Sequence, residues 1–157
     1  MGMIGTYLRV TDDELARLLD EPDYFEELYT YEERQSDIDK AWHGLYFLLT
    51  GEADLDDIDR HSLGRTIFGG MVIEEETGTA YLTSSEVKDL ATRLHYIERD
   101  ALESRYDATR MNAHELYPFE RGWGSEEKQY LLEQFEELKA IFLSASQKHK
   151  GLITWIG

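Results

Sequence analysis

The stretch "DKAWHGLYFLLTG", residues 39–51, brings a lysine amine, an indole and an imidazole within four positions. A buried amine can become reactive, and histidine is the side chain whose ordinary pKa suits proton transfer near neutrality. A second stretch, "HELYPFERGWG" at 114–124, is rich in aromatic residues and glycine, the composition of connections that build ligand pockets. Lys40, Trp42, His43 and Tyr117 are therefore the candidate lining of a pocket between the two stretches. Each also has a plainer role. On a helical wheel Ile38, Ala41, Trp42, Leu45, Tyr46 and Leu49 share one face, so Trp42 points into the core. Lys40, His43, Gly44 and Phe47 share the opposite face. A lone flank histidine is more often hydrogen-bonded or half-exposed than a base, and Lys40 fits a snorkelling side chain. Gly44, which costs about 1 kcal/mol of helix propensity relative to alanine, suggests close approach by another element. Packing accounts for this helix more simply than catalysis does, with both of its faces covered.

Motifs of established chemistry fail in definable ways. "GRTIFGG", residues 64–70, has P-loop glycine spacing, but Gly70 and Met71 stand where the phosphate-gripping lysine and the magnesium-binding hydroxyl belong. "HELYP" opens like a zincin and then puts Pro118 at the second histidine position. "DLDDIDR", residues 54–60, supplies two calcium-type ligands and then Ile58, with Arg65 in place of the closing glutamate. It reads as a solvated acidic loop. No Gly-x-Ser-x-Gly elbow occurs. With no cysteine there is neither disulfide nor thiolate chemistry. Gly2 and Thr6 fit an N-myristoylation pattern, although the same residues read better as a buried strand. No catalytic residue, cofactor or metal site is assigned.

These residues need elements to position them. Alternation in residues 2–10 marks a strand. Thr11 with Glu14 forms a capping box for a helix striped by Leu15, Leu18 and Leu19 and ended by Pro22. A short amphipathic stretch covers 24–31. Ser36 or Asp37 would cap the helix of residues 38–50, and Gly51 would close it. A short helix ends at Gly69 and Gly70, and a hairpin turns at Thr77-Gly78. Thr83 with Glu86 caps the next helix, and Asp100 with Glu103 suggests the same for a short successor. The longest helix starts near Ser125 and stops at Gly151, and "LITWI" closes the chain as a strand. The fold class is α+β: one domain over 1–157, a small mixed β-sheet flanked by several helices, with both chain ends contributing strands.

Composition bounds the partners. The chain has 157 residues, 41% of them hydrophobic, enough for a proper core, and no apolar run reaches the roughly 18 residues of a membrane span. No basic, apolar leader is evident, so a cytoplasmic location is expected. Acids outnumber bases 33 to 16, a net charge of -17. That field repels nucleic acid and anionic membranes and would attract a basic protein, although it also serves solubility.

In order along the chain, "MGMIG", "DIDKAWHGLYFLLTG", "FGG", "AYLTSSEV", "RYDATRMNAHELYP" and "LEQFEELKAIFLSAS" resemble the YfbM-like family of small bacterial proteins of unassigned function. The resemblance spans essentially the whole chain. It implies a compact single domain with a mixed sheet flanked by helices, and it carries no reaction or catalytic residue.

Two functional expectations follow. The first is a non-enzymatic binding or regulatory protein with an acidic surface, immunity-like in neutralising a basic protein. The second is a small-molecule binder or enzyme whose pocket lies near Lys40, His43 and the 114–124 connection.

Overall fold

Period-two alternation in "GTYLRV" makes β1 (Gly5–Val10) a strand with two apolar faces: Tyr7 is buried on one, Leu8 and Val10 on the other. The computed structural model describes residues 2–157, so Met1 of the opening motif lies outside them. After β1 come α1 (Asp12–Asp20), α2 (Tyr24–Tyr29), β2 (Gln35–Asp37), α3 (Trp42–Thr50), α4 (Arg65–Phe68), β3 (Met71–Glu74) and β4 (Thr79–Leu82). Then follow α5 (Ser84–His95), α6 (Arg99–Glu103), α7 (Ala108–Ala113), α8 (Ser125–Gln147) and β5 (Gly151–Ile156). The strands form one sheet in the order β2-β1-β5-β4-β3. It is antiparallel throughout, where the sequence suggests a mixed sheet. The α+β class holds. Neighbouring strands here run in opposite directions even where long helical connections separate them in the chain.

Helices cover both faces. Leu15 and Leu18 of α1 and Leu28 of α2 pack on Leu8, Val10 and Ile153. Residues of α3, α5 and α8 pack on Tyr7, Leu82 and Leu152. Burying one such leucine contributes about 1.5–3 kcal/mol, so the larger cluster around α3 and α8 carries most of the fold's stability. Both capping boxes form: Thr11 with Glu14, and Thr83 with Glu86. Gly51 closes α3 in the left-handed region at φ 80°, where a Cβ would be strained.

Several sequence expectations give way to tertiary structure. Ser36 and Asp37 do not cap a helix; they pair with Tyr7 and Thr6 as β2, and a 3-10 turn at 39–41 precedes α3. α6 starts without a side-chain cap, so Asp100 and Glu103 form no capping box. α8 ends at Gln147, and Gly151 opens β5. Leu19 is 50% exposed, outside the stripe that Leu15 and Leu18 bury. α7, capped by the Asp107 side chain, lies in a stretch with no strong periodic signal.

Candidate functional site

The turn before α3 is set by groups distant in sequence. Asp39 adopts φ 52°, unusual for a residue with a Cβ. The Tyr130 hydroxyl on α8 donates to Asp39 Oδ2 at 2.6 Å and accepts from the Lys40 N–H at 3.1 Å. Burial, reinforced by that carboxylate, raises the Tyr130 pKa, so the phenol stays a neutral donor. This clamp fixes where α3 begins and thus where Trp42 points.

Trp42 and Tyr117 stack with centroids 5.2 Å apart at 22°, and His43 lies nearly parallel to the indole at 5.4 Å and 9°. Trp42 Nε1–H donates to the Met3 carbonyl at 3.0 Å, and the Tyr117 hydroxyl accepts from the Met3 N–H at 2.6 Å. Two rings thereby hold both backbone groups of one residue. The Tyr117 N–H donates to His43 Nδ1 at 3.0 Å. A backbone amide can only donate, so Nδ1 is unprotonated and Nε2 carries the hydrogen, donating to the Ala53 carbonyl at 2.8 Å. Burial lowers the His43 pKa and favours this neutral tautomer. Neither ring nitrogen is free to accept a proton from a substrate.

The structure brings Trp42, His43 and Tyr117 together, although the helical wheel places Trp42 and His43 on opposite faces. Lys40 makes none of these contacts, and its side chain lies over Gly2. The other face of α3 is filled as well. A Cβ on Gly44 would sit 2.8 Å from the Leu131 methyls and 3.0 Å from the Trp123 ring, so the glycine permits close approach of α8 and the aromatic connection. Trp123 is held through its backbone by Asn112 and through Nε1–H by the Leu116 carbonyl. The space between α3 and the 114–124 connection is occupied by the chain's own rings.

Open space lies elsewhere around Trp42. A cleft of ≈ 330 Å³ runs between the 55–60 loop, the β3–β4 turn and the end of β5. Trp42, Ile67, Phe68 and Trp155 give it apolar walls. Arg60 enters it, donating to the Phe68 carbonyl at the end of α4. Burial pulls the Arg60 pKa down, yet a guanidinium remains charged at neutrality. Exposed Glu75 and Glu76 line the cleft, and exposed Asp54, Asp56 and Asp57 alternate with its Leu55 and Ile58. The loop is ordered locally: the Asp59 N–H donates to the Tyr46 hydroxyl at 2.8 Å, and the Asp59 carboxylate accepts from the His61 and Ser62 amides. Sequence reading passed over this cleft because its walls come from separate segments spread along the chain between Trp42 and Ile156. The available signal was two apolar residues inside an otherwise acidic loop.

Among the described residues no group of three or more histidines and carboxylates is placed to hold a metal ion. No helix of the described residues is long and apolar enough to cross a membrane.

Known proteins share this architecture. Protein YfbM of Escherichia coli (strain K12) is 30% identical over 124 residues, covering 75% of this chain and 74% of that protein. A crystal structure of YfbM from Escherichia coli, titled as a protein of unknown function, superposes with a TM-score of 0.81 at 24% identity. That match covers 99% of this chain and 100% of the other, and it shows the fold. A family model described as a domain of unknown function, DUF1877, matches residues 1–155, and the chain belongs to that family.

Proposed function

We propose that this chain is a non-enzymatic cytoplasmic binding protein that engages a basic protein at the acid-rimmed cleft beside Trp42. One observation carries the reading: an apolar floor of Trp42, Phe68 and Trp155 is bordered by the exposed carboxylates of the 54–57 loop and the 75–76 turn. A fully desolvated apolar centre within a polar rim is the usual anatomy of a protein interface. Asp54 accepts a hydrogen bond from the Asp56 N–H, and the rim carboxylates are free of ion pairs among the described residues. Among the described residues the ion-paired acids are Glu14, Glu21, Glu86, Asp89 and Glu103, none of them in these two segments. A partner offering lysine or arginine around an apolar anchor would be attracted over long range and held at short range. Neutralisation of a basic protein, as by an immunity protein, is one instance.

The test uses the immobilised chain and a Glu75→Gln/Glu76→Gln variant against native lysate at low and high salt. A basic protein held by the parent chain at low salt, and released by either change, is the expected result. Equal retention by the variant, or retention unaffected by salt, overturns the reading.

The size of the cleft favours a second reading, a small-molecule binder or enzyme. Its site would share Trp42 with the His43 and Tyr117 stack, without Lys40, and open on the Arg60 side. A thermal-shift screen of metabolites discriminates the two readings, because a bound ligand raises Tm in proportion to the logarithm of its concentration.

A further inference from the structure

A second cleft of this acidic chain is walled by cations. Arg9 on β1, Arg34 in the turn before β2, and Lys148 and Lys150 after α8 line a cleft of ≈ 190 Å³. No carboxylate-bearing residue shares that wall. They come from three separate segments, around Arg9, Arg34 and Lys148–Lys150, so no basic run announces the group. We propose that this cleft binds a small soluble multivalent oxyanion of the phosphoryl type.

Charge makes the arrangement informative. With 33 acids and 16 bases in the chain, carboxylates are in surplus as partners. Yet of these four cations only Arg34 has one within ion-pair distance among the described residues, its NH1 donating to Glu14 Oε2 at 2.8 Å. Glu33 also acts on Arg34 at longer range, yet four gathered positive charges with a single ion-paired carboxylate still repel one another, and a dianion relieves that repulsion. A helix C-terminus favours nearby cations and accounts for Lys148, but the field decays within a turn and gives no reason for Arg9 or Arg34.

The two arginines are also held in place. Arg9 donates to the Glu33 carbonyl at 2.8 Å and to Ser144 Oγ at 3.5 Å, and Arg34 lies 4.4 Å over the Tyr31 ring. Fixed guanidinium forks suit the planar or tetrahedral oxygens of phosphoryl groups. The cleft's volume admits such a group with a small substituent. A nucleic acid would in addition have to approach the field of a chain carrying net charge -17, which argues for a small ligand.

Inorganic phosphate and pyrophosphate, titrated at constant ionic strength and followed by amide NMR, test this. Saturable shifts should gather at Arg9, Arg34, Ser144 and residues 148–150, with pyrophosphate the tighter. Lys148→Gln/Lys150→Gln should weaken pyrophosphate about tenfold or more. The single Lys148→Gln, at an exposed position, should give a smaller loss in the same direction without disturbing the spectrum elsewhere. Absence of saturation, shifts spread over all basic residues, or affinity untouched in both variants would overturn the proposal. So would tighter binding of a single-stranded oligonucleotide or of vesicles with phosphorylated headgroups, since the claim is for a small soluble anion.

Discussion

On one side of Trp42 the polar atoms of the stack are already hydrogen-bonded within the chain; on the other, the same indole borders a cleft where Arg60 and the rim carboxylates face solvent. The stacked side holds the residues with the most obvious chemical promise, an imidazole and a phenol, and it has used them for architecture. The open side is built from a loop, a hairpin turn and a strand end with no suggestive motif. Reactive residue types close in sequence are therefore a poor guide here. Availability of the atoms decides, and it is settled by what packs around them.

The largest effect is expected at Trp42, which both sides share. Trp42→Ala should lose about 3–5 kcal/mol in denaturant unfolding, because a buried indole leaves a cavity and frees the Met3 carbonyl. A loss under 1 kcal/mol would mean that the stack is not a structural anchor.

His43→Ala should cost about 2–4 kcal/mol, since it orphans the Tyr117 N–H and the Ala53 carbonyl near the core. The folded-state pKa of His43 lies below the unfolded value of about 6.5, so the unfolded chain takes up the proton first. Stability from this group is intact above the unfolded pKa and falls as pH drops toward the lowered folded one, with a slope of at most about 1.4 kcal/mol per pH unit. Denaturant midpoints of the parent and of His43→Gln between pH 7.5 and 5 should converge as pH falls. Parallel curves would contradict a histidine locked in its neutral form.

Gly44→Ala gains helix propensity but drives a methyl into Leu131 and Trp123, for a net loss of about 1–2 kcal/mol. A rise in Tm would show that α8 yields easily. On the open side, Glu75→Gln/Glu76→Gln should move stability by no more than about 0.5 kcal/mol while removing salt-sensitive association with a basic partner. Stability and binding would then separate across one indole.

The legible part of the fold was local. Thr11 with Glu14 and Thr83 with Glu86 carry their caps within four residues, and Gly51 marks its own φ. Ser36 and Asp37 misled because their state is decided by pairing with β1, thirty residues earlier. His149, in the left-handed region at φ 55°, lets the chain leave α8 before the glycine that the sequence offers as a stop. For the site, the meeting of Tyr117 with His43 was legible from two aromatic-rich stretches. The cleft at Arg60 and the cluster of Arg9, Arg34, Lys148 and Lys150 were not. Neither is periodic or contiguous, and each exists only once the sheet has brought its segments together.

The sheet's strand order has a consequence for how the chain is made. β5 lies between β1 and β4, so the pairs β2-β1 and β4-β3 have no common neighbour until it arrives. With synthesis at roughly 5–20 residues per second, a half-sheet that forms before residues 151–156 appear has its inner edge unpaired. Such an edge is a site where a nascent chain can join the wrong strand. A ribosome stalled just short of β5 would expose two open seams, whereas residues 151–156, once they emerge, can close both.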